Sequence, residues 1–217
     1  EIVAHGRTAQ IEKMVLLWGT GEHPDVSEVL PTAHYQFALQ GMFQDLNPFV
    51  EADPELSWDQ FFPVAVESAR IIDEHPGGGQ MWMMPASLWV TGAATNDTHF
   101  IEAGLTPPLR LGYQWTWEEF SEAAKKLTRV DDDGTITRYG AGLETYPYWI
   151  HNAGGSIFDR WVDPTRATVN TEPVIKALNF IADALHHSRY AKRAAIIQDF
   201  AAGRVSIYMH GGPNTTS

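Results

Sequence analysis

Between Thr116 and Gly142 a capped amphipathic helix runs into a tight acidic turn and then a strand, and this succession constrains the fold more than any other stretch. Thr116-Trp117-Glu118-Glu119 has capping-box spacing: Thr116 can accept from the amide of Glu119 while the Glu119 carboxylate reaches back. Phe120, Ala123, Ala124 and Leu127 then fall on one apolar stripe, as a core-facing helix requires. Asp131-Asp132-Asp133-Gly134 supplies turn residues, and Thr135 to Gly142 reads as a strand.

The rest of the chain repeats this mixture. Ile11, Met14, Val15 and Trp18 have helical spacing, broken by Gly19 and Gly21. Pro24-Asp25-Val26 leads into Ser27 to Leu30, short and β-prone, and a second helix through His34 to Gln40 stops at Gly41. Leu46 to Asp59 is irregular, Trp58 to Ile72 partly helical, and His75-Pro76-Gly77-Gly78-Gly79 a firm stop. Gln80 to Val90 is apolar with Pro85 inside, which predicts an edge or kinked crossing strand. Thr171 is placed to cap a helix with Val174, Ala177, Leu178, Ile181, Ala184 and Leu185 on one face, and Arg204 to Met209 reads as a strand. Alternating helices and short strands imply an α/β fold with partly parallel pairing. A boundary after the Pro85 stretch divides the chain into residues 1–95 and 96–217.

Composition narrows the function. A chain of 217 residues can bury one large core or two smaller ones, and no stretch approaches the roughly 18 uncharged apolar residues of a membrane span. Its 27 acidic against 15 basic side chains carry the wrong sign for a nucleic acid partner. Absence of cysteine removes thiolate metal sites and cysteine nucleophiles together. Asp131 to Gly134 is not a calcium loop, because the twelfth position, where a glutamate is needed, is Gly142. His186-His187 lacks a third ligand at suggestive spacing, and Gly77-Gly78-Gly79 lacks the Lys-Ser/Thr of a phosphate loop. Neither metal nor cofactor is expected. Eight Trp, seven Tyr and ten Phe are a heavy aromatic load, of the kind that stacks on sugar rings or builds large interfaces.

Seven segments, in order, resemble the family-1 extracellular solute-binding proteins, the group of maltose-binding protein. KMVLLWGTGEHPDV (Lys13 to Val26) and ALQGMFQDLNPFV (Ala38 to Val50) resemble first-lobe segments. GQMWMMP (Gly79 to Pro85) is similar to the strand approaching the inter-lobe crossing, and NDTHFIEAGLTPP (Asn96 to Pro108) to the stretch after it. Trp115 to Gly140 resembles the second lobe's tryptophan-started helix and hairpin, and WIHNAGGSIFD (Trp149 to Asp159) its Trp, Asn, Gly-Gly turn. FAAGRVSIYMHGG (Phe200 to Gly212) continues that lobe.

The resemblance implies a two-lobe, type II periplasmic-binding-protein-like α/β fold with a ligand cleft between the lobes. Family members begin before the region of Glu1 and continue past Ser217, so it also implies a first lobe incomplete in this chain. The implied function is capture of an extracellular solute, a sugar or oligosaccharide, for the membrane permease of an ABC importer. The protein would be a monomer without catalytic residues, periplasmic or extracellular and open to lipid anchoring. The implied first-lobe contacts are Thr32, His34 and Tyr35, for which a helix start with Tyr35 in packing is the competing role. Maltose-binding protein carries charged contacts on this loop where this chain has Pro31, Thr32 and Ala33, which puts a maltose specificity in question. Trp89 could stack on a ring, although a Trp in an apolar strand is more often core. Tyr146, Tyr148, Trp149, Asn152 and Gly154 are the implied second-lobe wall, joined by Gly212. Two rival readings stand beside this one: a glycoside hydrolase using Glu118 and Glu144, or a binder of iron, polyamine or peptide.

Overall fold

The computed structural model describes residues 7–86, 91–112, 115–143, 146–160 and 164–211. The chain forms two compact units, Glu1–Leu88 and Trp89–Ser217, so the division falls seven residues before the boundary expected at 95. The reason is the strand Thr91–Thr95 (β1), which pairs with the last strand of the second unit. Among the described residues no helix is long and apolar enough to cross a membrane.

The first unit is built from short helices. Arg7–Thr20 (α1) ends at Gly21 and Pro31–Leu39 (α2) at Gly41, both glycines at a φ of +73°, the left-handed geometry that closes a helix. Prolines open α2, Asn47–Ala52 (α3) and Pro63–Ala69 (α4), where a missing N–H costs nothing. A 3-10 turn, Trp58–Gln60, sits between α3 and α4. Its core is largely aromatic: Trp82 is buried against Tyr35 and Phe43, at centroid separations of 6.1 and 5.3 Å, and Trp18 meets the Phe43 ring edge-on at 5.2 Å. A polar brace supports it. The Asp45 carboxylate accepts from the amides of Asn47 and Met81, and Asn47 accepts from the Trp58 indole while donating to the Gly79 carbonyl.

Among the described residues of this unit two expected strands do not form. Ser27 to Leu30 is irregular, and from the apolar run only Met81 forms a ladder contact, a single bridge to Arg70. Trp82 N–H donates to the Ala69 carbonyl at 3.0 Å, residues 83–86 belong to no strand, and 87–90 lie outside the described residues. β-propensity makes a strand only where another strand offers a ladder, and here residues 69–71 offer the run no more than a single bridge.

The second unit holds a five-stranded sheet in the order β1, β5, β3, β2, with β4 also on β3. Its strands after β1 are Arg129–Val130 (β2), Ile136–Leu143 (β3), Ala191–Arg193 (β4) and Val205–Gly211 (β5). β3 lies parallel to β4 and β5, while β1 runs antiparallel to β5. β3 is buried from Gly140 to Leu143, the signature of a strand covered on both faces. Asp97–Glu102 (α5), Trp117–Leu127 (α6), Tyr146–Asn152 (α7), Glu172–Ala182 (α8) and Ile197–Ala201 (α9) complete the unit.

The capping box forms as its spacing requires: Glu119 N–H donates to the Thr116 hydroxyl at 3.2 Å, and Thr116 N–H to the Glu119 carboxylate at 2.8 Å. Phe120, Ala123, Ala124 and Leu127 are buried, as their stripe predicts. Thr171 departs from expectation. It stands at the N-cap of α8 but donates its hydroxyl to the Thr168 carbonyl at 3.0 Å, so it does not cap the helix amides. On that helix Val174 and Ala177 are buried whereas Leu178 is exposed, and Ala184 is buried in the π-helical turn Asp183–His187 that follows.

His99 of α5 is buried in the corner where α5 meets β5. Its Nδ1 lies 3.0 Å from the Ser206 hydroxyl, which is itself fully buried. Burial holds the imidazole below its ordinary 6.5, Arg138 adds to this and Glu102 opposes it. The unfolded chain therefore binds this proton more readily than the folded one. Stability from His99 is complete above pH 6.5 and declines as pH falls through 6.5 toward the lower folded value. Thermal unfolding across pH 5 to 8 is expected to show a decline on the acid side that shrinks in His99→Asn. An identical decline in the variant would refute the assignment.

Candidate functional site

The loop after α7 carries an open concave surface. Gly154 takes a φ of +80°, turning the chain, and Gly155 approaches α8 so closely that a β-carbon would lie 3.0 Å from the Val174 side chain. From there the chain doubles back. Thr168 N–H donates to the Ile157 carbonyl at 2.7 Å, Asp159 N–H to the Arg166 carbonyl at 3.1 Å, and Phe158 bridges to Ala167. The Asp159 carboxylate accepts from the Thr165 hydroxyl and from the amides of Thr165 and Arg166, and these bonds hold it down at about 2. It is a fixed negative charge at neutral pH.

An open cleft of about 410 Å³ results, lined by Gly154, Gly155, Phe158, Asp159, Arg166 and Thr168 among others. Phe158 is 47% exposed, so an aromatic face, a carboxylate, a guanidinium and hydroxyls share one concave surface. That mixture can hold a polar small molecule with an apolar face through hydrogen bonds and stacking. Nothing in the residue spacing singled out Phe158 or Arg166, because the turn that gathers them depends on long-range bonds of Asp159.

The sequence-derived contacts divide sharply. Gly154 lies in the cleft. Tyr148 is 46% exposed on α7, and Asn152, one helical turn on, is exposed as well. The Asn152 side-chain oxygen accepts from the Trp117 indole at 2.6 Å, so this residue clasps α7 to the first turn of α6. Trp149 is corrected. It is only 6% exposed, with its ring 4.7 Å from Phe180, 5.3 Å from Phe120 and 5.5 Å from Trp117, because α7 turns Trp149 and Ile150 inward and Tyr148 outward. Its ring is core.

His34 is corrected too, while Tyr35 is half-buried with its hydroxyl already engaged. His34 is 1% exposed, its Nδ1 accepts from the Leu30 amide at 3.0 Å, and its Nε2 is buried. Tyr35 accepts the Ile72 amide on its hydroxyl and sets its ring edge against Trp82. Both serve packing in the first unit. The side chains of Thr32 and Tyr146, and the whole of Trp89 and Gly212, lie outside the described residues.

Glu118 is exposed in the first turn of α6, and its suggested catalytic partner Glu144 lies outside the described residues. Asp131 to Gly134 is a turn closed by the Gly134 amide on the Asp131 carbonyl, with Asp133 accepting from Thr135. Among the described residues no cluster of three histidine or carboxylate side chains could hold a metal ion.

The family profile described as bacterial extracellular solute-binding protein matches residues 3–215. The chain belongs to that family. No curated protein sequence matches it. Among solved structures, the family member is similar to an ABC substrate-binding protein of Listeria monocytogenes in complex with cycloalternan: TM-score 0.73, 21% identity, 97% of this chain and 53% of that one. UgpB from Mycobacterium tuberculosis, in complex with glycerophosphocholine, aligns at a TM-score of 0.74 and 20% identity over 96% of this chain and 52% of its own. A maltotriose-binding protein of Thermus thermophilus bound with maltotriose aligns at 0.68 and 21% over 97% and 53%. The chain thus spans about half the length of these structures and shares their α/β fold over that part.

Proposed function

We propose that this chain is part of a protein that captures a sugar or oligosaccharide outside the cytoplasmic membrane and delivers it to an ABC importer. The observation that carries the reading is the family match over nearly the whole chain, and it is supported by structural relatives holding cycloalternan and maltotriose. The units Glu1–Leu88 and Trp89–Ser217 would be the two lobes, the first of them partial. Tyr148 and Gly154 are the proposed contacts that the described surface leaves accessible, with Thr32, Trp89, Tyr146 and Gly212 proposed on the resemblance alone. Asn152 contributes through its amide nitrogen, since its oxygen is bonded to Trp117.

A glycerophosphocholine complex among the relatives favours one second reading, a polar non-sugar solute with a cationic or phosphate headgroup. The hydrolase reading is tested directly: incubation with a panel of chromogenic glycosides is expected to release no chromophore while sugar binding persists. Tyr148→Ala is expected to weaken that binding by about tenfold, the typical cost of losing one stacked or hydrogen-bonded aromatic contact. Turnover that tracks with the purified protein would replace the binding role with a catalytic one.

A further inference from the structure

Where the chain doubles back after Gly155, two charged neighbours are treated unequally. Asp159 and Arg166 stand opposite each other, joined by the Asp159 amide on the Arg166 carbonyl at 3.1 Å, a placement in which carboxylate and guanidinium ordinarily attract. Here the carboxylate is committed to backbone instead. It accepts from the amides of Thr165 and Arg166 at 3.1 and 3.2 Å and from the Thr165 hydroxyl. Among the described residues the Arg166 guanidinium has neither a hydrogen-bond nor an ion-pair partner.

The other side-chain protons of the cleft are accounted for in the same way. The Thr168 hydroxyl donates to the Ser156 carbonyl and the Thr171 hydroxyl to the Thr168 carbonyl, so both are turned onto the protein's own backbone. Those left for a bound molecule belong to the Arg166 guanidinium and the Ser156 hydroxyl, and both residues line the one cavity. A wall whose uncommitted groups are donors selects acceptors, and a guanidinium prefers an oxyanion that takes two parallel N–H···O bonds. The Asp159 charge opposes such an anion, but the amide and hydroxyl dipoles bonded to it offset part of that charge, whereas no described carboxylate pairs with Arg166.

We propose that this cleft selects sugars carrying an acidic group, with the Arg166 guanidinium binding the carboxylate or phosphate and the Ser156 hydroxyl donating to a neighbouring oxygen. With 27 acidic against 15 basic side chains the chain repels such a solute at long range, so recognition depends on a local cation of this kind. The inference rests on the reading that the protein captures a sugar, and it names the class of sugar.

The test uses the protein at its full natural length, titrated calorimetrically with uronic-acid oligosaccharides, sugar phosphates and the uncharged sugars of matching length and stereochemistry. An acidic sugar is expected to bind about tenfold more tightly than its neutral counterpart, the gain of one bidentate charge-assisted contact. Arg166→Gln is expected to remove that preference, weakening the acidic sugar about tenfold and the neutral one by less than about twofold. Arg166→Lys keeps the charge without the fork and is expected to fall between. The uronate and phosphate arms tell which acid is taken. Equal weakening of acidic and neutral sugars by Arg166→Gln, or an acidic sugar that binds no better than its counterpart, would overturn the inference while leaving sugar capture intact. Failure of every sugar to bind would overturn both. Modification by phenylglyoxal supplies the second measurement: Arg166 is expected to react in the free protein and to be shielded by the acidic sugar. An Arg166 inert before any sugar is added would show that another part of the polypeptide closes the cleft, and would overturn the inference as well.

Discussion

Gly140→Ala is expected to lower the stability of the second unit by about 3 kcal/mol or more, enough to leave it largely unfolded at moderate temperature. Gly140 lies on β3 where the strand passes directly beneath the last turn of α6. A β-carbon there would overlap the carbonyl of Ala124, which is helix backbone and cannot rotate away. The contact is also a hydrogen-bonded joint. The Thr128 hydroxyl accepts from the Gly140 amide at 3.1 Å and donates to the Ala124 carbonyl at 2.8 Å, so the C-terminus of α6 is sealed onto the strand. Relieving the clash would separate α6 from the sheet and uncover Ala124 and Leu127, both fully buried. Gly92→Ala on β1 is the control, because a β-carbon there meets nothing within 4 Å. Circular dichroism melts should show near-native behaviour for Gly92→Ala and a large loss for Gly140→Ala; comparable melting temperatures would refute the close packing of α6 on β3.

The second large effect is expected at Asp199. Its side chain is 5% exposed and takes the Lys192 ammonium at 2.6 Å, the Arg204 guanidinium at 3.0 Å and the Ile196 amide at 3.2 Å. One carboxylate therefore ties β4, the start of α9 and the approach to β5. The Lys192 hydrogen bond leads the forces that hold it at about 2, against an ordinary 3.8. Asp199→Asn keeps the shape but removes the charge, leaving two cations beside each other without their shared carboxylate. A loss of about 3 kcal/mol is expected, toward the lower end for a broken buried pair because both cations retain some solvent contact. For a chain of this size that is a drop in Tm of roughly 6 to 12 °C. The sign with pH follows from the lowered folded value: the contribution is full above 3.8 and lost as pH falls toward about 2. Asp199→Asn should flatten that part of the acid unfolding profile, and a variant with an unchanged acid limb would show that Asp199 is not the anchor.

What the sequence discloses differs between the units for a physical reason. Thr116 to Leu143 was legible because its signals are local: a cap three residues from its partner, a stripe at helical spacing, a turn of four residues. Ser27 to Leu30 has the same kind of local signal, yet a strand exists only with a partner, and propensity carries no information about one. Site residues were harder still. Trp149 and Tyr148 are neighbours of similar chemistry, and only the rotation of α7 decides that the first packs on Phe180 while the second meets solvent. His34 shows the same limit: its ring is held by the amide of Leu30, a contact within one turn that sequence cannot distinguish from exposure to a ligand. The aromatic rings of Phe62 and Phe158 do reach solvent, and no spacing in the sequence marks them.

The central claim is solute capture, and thermal unfolding in the presence of candidate solutes tests it most directly, because a ligand that binds only the native state must raise Tm. The protein at its full natural length would be melted against mono- and oligosaccharides, with glycerophosphocholine as the non-sugar comparison. A concentration-dependent rise of Tm with one class of sugar, and none with glycerophosphocholine, is the predicted result. A well-folded protein whose Tm does not respond to any sugar, or responds to glycerophosphocholine alone, would contradict it.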